Sequence, residues 1–287
     1  MAGTHHVIKN TRKAGRKTAR SCAAVLGCAS LAAISGIAPV RADEPQAPAG
    51  TIITVGGYGV MVPKFEGAKH DELAFRPSFS WRSPNDRVWL DLPNDGLDFS
   101  VIEGDNYRAG VVGNLRWQRH ASDVRPRGFG KVGSADVSVE AGAFAEYWPS
   151  QALRTRVELR DALFGAEGLI ADFSADVVLH PAQRWTLTGG PRLSVADQTF
   201  MDSYYSITAS QATTSGLTQF KADAGLRSYG AGASARYELT RDITTIAFVE
   251  YQRLAGSAGD SPLIDNRGSV DQLTVGLGMK YSFQAPW

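Results

Sequence analysis

The sequence predicts an all-β protein: a transmembrane antiparallel up-and-down β-barrel of twelve strands, with ten as the alternative, preceded by a cleaved signal peptide. Three observations predict it. Hydrophobic residues alternate with polar ones over segment after segment, most segments are about 10–12 residues long, and tight turns alternate with long loops. A soluble strand is commonly about 5–6 residues, whereas a tilted strand crossing a bilayer needs about 9–11.

The chain opens with a basic stretch from Lys9 to Arg20, then an apolar run from Ala23 to Val40. Val40-Arg41-Ala42 offers small or aliphatic residues where a signal peptidase reads, and Asp43-Glu44-Pro45 begins a polar stretch. That order is the n-, h- and c-region of an export signal, so residues 1–42 are expected to be removed between Ala42 and Asp43. Residues 43–49 are then a short periplasmic lead, and residues 50–287 the barrel. The first 42 residues hold seven of the 30 basic side chains and none of the 29 acidic ones, so the formal charge of +1 conceals an acidic remainder. A basic surplus confined to a terminal address argues against a nucleic-acid partner. Both cysteines, Cys22 and Cys28, lie there as well, which leaves the rest without thiol chemistry or a Cys metal site.

Because side chains alternate across a strand, each strand can be read by its two faces. Residues 72–82 set Leu73, Phe75, Phe79 and Trp81 against Arg76, Ser78, Ser80 and Arg82. The pattern returns at 107–118, 153–160, 169–180 and 271–283, with further strands near 51–62, 87–92, 97–102, 137–148, 185–196, 226–239 and 243–254. The turn sequence Pro93-Asn94-Asp95-Gly96 separates 87–92 from 97–102 and gives the even strand number usual in single-chain barrels. One short helix is expected, over Ile207 to Ser215. Pro149–Ala152, Pro181–Arg184 and Thr240–Asp242 are tight connections, and His120–Asp136, Asp197–Gly225 and Ala255–Val270 long ones, the asymmetry of short periplasmic turns and long outer loops. Trp81, Tyr107, Tyr147, Trp185, Tyr237, Tyr281 and Phe283 collect at the ends assigned to the periplasmic side, where rings favour the lipid boundary.

With apolar faces toward lipid, the opposite faces line the interior. The expected lumen charges are Arg76, Arg116, Glu140, Glu146, Arg154, Arg156, Glu158, Arg160, Asp172, Asp176 and Arg192. From Glu140 to Arg192 they place acidic, basic, acidic and basic faces on four successive strands, as in an ion-pair ladder filling a narrow barrel. A charged constriction in a small pore is the alternative. Catalytic constellations are thin. His70, His120 and His180 are scattered, and Ser174 and His180 lie about 20 Å apart along one strand, so no enzyme chemistry and no cofactor are expected.

Tyr58-Gly59-Val60-Met61-Val62-Pro63-Lys64-Phe65-Glu66-Gly67 resembles the opening signature of the MipA/OmpV outer-membrane proteins, with Lys64 where Asp is usual. Gly142 to Tyr147, Gly190 to Asp197, Phe200 to Tyr205, Thr208 to Leu217, Ser261 to Ile264 and Gln272 to Gly278 are similar to later family segments in the same order. The resemblance implies an outer-membrane, non-enzymatic interaction protein. The name-giving member is described as a scaffold joining a murein-degrading lytic transglycosylase to a murein-synthesising penicillin-binding protein, and other members are associated with adhesion, osmotic response or antibiotic uptake. A small diffusion channel and a surface adhesin acting through the long loops are the alternatives. Gly278, Tyr281 and Phe283 resemble the C-terminal signal read by the barrel-assembly machinery, and outer-membrane lipid is the remaining expected partner.

Overall fold

The computed structural model describes residues 50–84, 86–116, 138–164 and 168–286. The expected cleavage site at Ala42 and Asp43, residues 43–49, the whole loop at 120–136, and Trp287 lie outside the described residues. Alternation becomes eleven strands: β1 (Thr51–Pro63), β2 (Asp71–Arg82), β3 (Leu97–Glu103), β4 (Tyr107–Arg116), β5 (Ser138–Ser150), β6 (Leu153–Phe164), β7 (Leu169–Ala182), β8 (Trp185–Ala196), β9 (Gly225–Glu238), β10 (Ile243–Leu254) and β11 (Asp271–Ala285). Apart from the seven residues of β3, each has 10–15 residues, enough to cross a hydrocarbon layer at a tilt.

All eleven belong to one antiparallel sheet ordered β2-β1-β11-β10-β9-β8-β7-β6-β5-β4-β3. β1 pairs with β11 from Thr51 opposite Ala285 to Met61 opposite Val275, so the first strand meets the last. Apolar side chains cover the outside: Leu73 is 84% exposed, and Phe75 and Leu277 67%. Such a surface in water would be an association liability; against lipid it is the satisfied face. Among the described residues no helix is long and apolar enough to cross a membrane.

The expected twelfth strand at 87–92 is absent from the sheet. From β2 to β3 the sheet makes ten antiparallel steps, so these two edge strands run in the same direction. The chain leaving β2 must therefore travel back along the barrel before β3 begins, and it does so inside. Its charged and amide groups explain why. Asp91 accepts from Lys280 of β11, Asn94 donates to Glu250 of β10 at 2.6 Å, and Asp95 accepts from Arg154 of β6 at 2.6 Å. A strand held in the wall at this point could not reach those three walls together.

The long connections at the opposite end from the tight turns fold into a cap. It contains α1 (Gln198–Tyr205), α2 (Ala209–Ser215), α3 (Gly256–Gly259) and α4 (Pro262–Arg267). The expected helix at 207–215 is α2, shorter by two residues because Thr208 caps it with Gln211 in a reciprocal capping box, while Ile207 bridges to Phe220. The other three helices escaped the sequence reading; α1 had one local signal, Asp197, whose carboxylate accepts from the Phe200 amide at 2.8 Å. Phe200, Met201, Tyr204 and Tyr205 of α1 pack with Ala258, Ile264 and the strand-end residues Ile170, Ala196 and Leu254.

Gly67, between β1 and β2, holds the cap's edge. Its φ is +88°, and an added Cβ would lie 2.2 Å from Ile264 Cδ1. Its amide donates to Gln272 Oε1 at 3.0 Å and its carbonyl accepts from the Ser269 amide at 2.9 Å. Gly67→Ala is expected to cost at least about 1–2 kcal/mol from the left-handed backbone alone, seen as a lower denaturant midpoint together with faster proteolysis inside 197–225.

Candidate functional site: a charged, plugged lumen

Glu146 sits on the inward face of β5 and is 2% exposed. Its Oε2 accepts from Arg154 at 2.8 Å, Arg108 at 3.0 Å and Arg156 at 3.2 Å, and its Oε1 from the Trp148 indole at 2.8 Å. Three guanidinium groups around one carboxylate need further acids. Asp98 supplies them for Arg108 at 3.0 Å and Arg156 at 2.8 Å, and Asp95 and Asp176 for Arg154 at 2.6 and 3.5 Å. Register sets up part of this: Glu146 lies opposite both Arg108 and Arg156, and Arg154 opposite Asp176.

The network extends along the wall. Arg156 reaches Glu158 at 2.8 Å, and Arg160 reaches Glu158 at 2.6 Å, Glu140 at 3.3 Å and Asp172. Arg192 joins Asp176 at 2.7 Å to Glu250 at 3.5 Å. At the cap end, Arg116 joins Glu140 at 2.7 Å to Glu66 at 2.8 Å. Ten of the eleven expected lumen residues thus sit in one ion-pair system. The eleventh, Arg76, instead donates to Asn94 Oδ1 at 3.3 Å.

Sequence reasoning missed several members. Arg108, Lys280, Asp98 on β3 and Glu250 on β10 carried the right alternation, but Asp91 and Asp95 became visible only once the β2–β3 connection turned inward. Phe144 was also missed as a lumen residue. It lies on the inward face with Glu140 and Glu146, 4.2 Å from the Arg156 guanidinium carbon and 5.1 Å from that of Arg108. Its ring face attracts both cations and keeps water from them.

Glu66, in the connection between β1 and β2, binds the cap to the lumen. It accepts from Arg116, from Arg227 of β9 and from the Tyr205 hydroxyl of α1. Burial works to raise its carboxyl pKa, but Arg227, Arg116 and the Tyr205 hydroxyl together hold it down at about 2. Burial and the neighbouring Glu66 push the Tyr205 hydroxyl well above its ordinary value. Arg116 also lies 5.2 Å from the Phe200 ring centre.

A cavity of about 1370 Å³ remains, lined by Arg76, Asp91, Asn94, Arg236, Lys280 and many hydroxyls. Among the described residues no group of three or more His, Cys, Asp or Glu could hold a metal ion. Ser174 and His180 do not assemble with Asp176, which is taken by Arg154 and Arg192. At the turn end, Trp185 packs on Tyr237 at 4.8 Å and Tyr281 stacks on Phe283 at 5.9 Å, at the level where the expected aromatic girdle lies. Gly278 leaves room for the Tyr58 ring, since an added Cβ would be 2.2 Å from Tyr58 Cδ1.

An apolar exterior, a charged interior and a short-turn and long-loop end define a β-barrel of the outer membrane. The chain belongs to the family described as MltA-interacting protein MipA, whose model matches residues 55–283. It is 30% identical over 191 residues to YiaT of Escherichia coli strain K12, an outer-membrane protein by name, and equally to YiaT of strain O157:H7. Each match covers 65% of this chain and 65% of the relative's length. Among solved structures, the NanC porin is 10% identical with a TM-score of 0.36, covering 81% of this chain and all of its own. The translocator domain of autotransporter NalP from Neisseria meningitidis is 11% identical with a TM-score of 0.39, covering 82% of this chain and 88% of its own. Nothing about cargo passes from those proteins to this one.

Arg154 is wholly buried, so Arg154→Met would leave Asp95, Glu146 and Asp176 without a shared cation. A loss of about 3–5 kcal/mol is expected, measured by urea unfolding in detergent. The depressed Glu66 pKa means that its ionised form stabilises the cap fully above pH 4.5, and that this contribution fades as pH falls toward about 2. Proteolytic protection of 197–225 should therefore decline between those values in the native chain, and be lower already at neutral pH in Glu66→Gln.

Proposed function

We propose that this protein is a non-enzymatic outer-membrane scaffold, engaging cell-wall enzymes through its periplasmic rim. The single observation that carries the reading is the pinned β2–β3 connection. Asp91, Asn94 and Asp95 tie it across the lumen to β11, β10 and β6, so the interior is occupied and the rims are left to meet partners. The family description, MltA-interacting protein, supports a murein-degrading lytic transglycosylase as one partner; a penicillin-binding protein is proposed as the second. The tight turns Pro149–Ala152 and Pro181–Arg184 are the proposed contact. Gly278, Tyr281 and Phe283 are proposed as the handle for the barrel-assembly machinery, and residues 1–42 as the export signal.

The cavity of about 1370 Å³ with its lining of acidic, basic and hydroxyl side chains favours one second reading, a small channel for polar solutes. The purified barrel is expected to recover a lytic transglycosylase from envelope extract, and to lose it when residues 149–152 or 181–184 are replaced by Gly-Ser. No transglycosylase recovered by the native barrel would count against the scaffold. Discrete current steps from the native protein in a planar bilayer would favour the channel.

A further inference from the structure

The edges of the sheet do not match an ordinary finished barrel. Among the described residues β2 is bonded only to β1 and β3 only to β4, so each presents one backbone edge without a strand. In hydrocarbon such an edge is costly, because no water satisfies its amides and carbonyls. The gap is roofed on the outside by Trp81 and Phe99, whose ring centres are 5.8 Å apart.

The segment that would fill this gap lies directly behind it. Arg87-Val88-Trp89-Leu90-Asp91-Leu92 alternates, with Val88, Leu90 and Leu92 on one face and Arg87, Trp89 and Asp91 on the other. It runs opposite to β2 and β3, as a strand between them must. A reversal already brackets it on each side. The Ser83 amide donates to Asp86 Oδ2 at 2.7 Å and the Asp86 amide to the Ser83 carbonyl at 3.1 Å. The Leu92 amide donates to Asp95 Oδ2 at 3.1 Å and the Asp95 amide to the Leu92 carbonyl at 3.0 Å.

Extending both reversals as hairpins gives one self-consistent register. On the β2 side Val88 falls opposite Trp81, Leu90 opposite Phe79 and Asp91 opposite Ser78. On the β3 side Val88 falls opposite Phe99, Leu90 opposite Leu97 and Asp91 opposite Gly96. Every pair joins residues of the same face: Phe79, Trp81, Leu97 and Phe99 are exposed on the lipid side, and Ser78 and Gly96 fall on the other face with Asp91. A shift of one residue would invert the set.

We propose that residues 87–92 are a mobile twelfth strand, which moves from the lumen into the β2–β3 seam and by leaving the interior opens a pore for small polar solutes. Two opposing terms make it bistable. The wall position satisfies two sheet edges and turns Val88, Leu90 and Leu92 to lipid. It also gives up the contacts of Asp91 with Lys280, Asn94 with Glu250 and Asp95 with Arg154. The inference deepens the channel reading and stands apart from the scaffold: cross-linking reports the strand's position whether or not any cell-wall enzyme binds.

The test uses the full chain with Cys22 and Cys28 replaced by Ser, in vesicles of phosphatidylethanolamine and phosphatidylglycerol, with folding checked by heat-modifiable gel mobility. The pair Phe79→Cys with Leu90→Cys should form a disulfide on mild oxidation, while Phe79→Cys with Trp89→Cys, one residue out of register, should not. Adding Asp91→Asn should raise the in-register yield roughly two- to fivefold by weakening the Lys280 contact that holds the segment in the lumen. The oxidised in-register barrel should conduct in a planar bilayer, and the reduced one much less. No in-register disulfide in a folded barrel would overturn the proposal, as would equal yield from both pairs or a disulfide without added conductance. Should the paired variants fail to fold, Asp91→Asn alone decides: more frequent openings support the strand's movement, and unchanged behaviour overturns it.

Discussion

Everything inside this barrel follows from one constraint: a charge withdrawn from water must meet an opposite charge. Glu146 shows it most plainly, with three guanidinium groups on one carboxylate. A lone carboxylate there would take up a proton instead, and three unpaired arginines would repel one another. The structure answers by recruiting acids from places far apart in sequence. Asp176 comes from a neighbouring strand, Asp98 from a sheet edge, and Asp95 from the segment between β2 and β3. Neutralising the β6 arginines is therefore what draws the connection inward.

The same constraint couples the two ends. Arg116 ties Glu140 in the lumen to Glu66 near the rim, and Glu66 also receives Arg227 and the Tyr205 hydroxyl from the cap. The cap's own adhesion is apolar, through Phe200, Met201 and Ile264, so its position is set by packing and its register on the barrel by charge. One half of the interior, from β4 to β8, is dense with paired ions. The opposite side adds ion pairs of Arg227 on β9, Glu250 on β10 and Lys280 on β11, and both sides line the cavity. The plug is held from both sides, by Arg154 of β6 and by Glu250 of β10 and Lys280 of β11.

How much was legible depends on whether a signal is local. Alternation located all eleven of the wall strands and the tight turns, because a strand between lipid and a charged interior must present two unlike faces. The same alternation picked out Glu140, Glu146, Arg154, Arg156, Glu158, Arg160, Asp172, Asp176 and Arg192 as inward. It also marked 87–92 as a strand, and the residues do carry that pattern; the sheet nevertheless omits them, because their charges have partners on three other walls. Glu66 was visible only as part of a family motif, and nothing near it in sequence names Arg116, Tyr205 or Arg227.

The sequence by itself determined the class, a barrel with an apolar outside and a paired inside, since strand period and loop asymmetry are properties of neighbouring residues. Only the tertiary structure decided which charges meet, that eleven strands form the sheet among the described residues, and that the β2–β3 connection lies in the lumen. Those choices pit backbone hydrogen bonds in the wall against ion pairs across the interior. Their balance depends on residues such as Lys280 and Glu250, well over a hundred positions from the segment they hold.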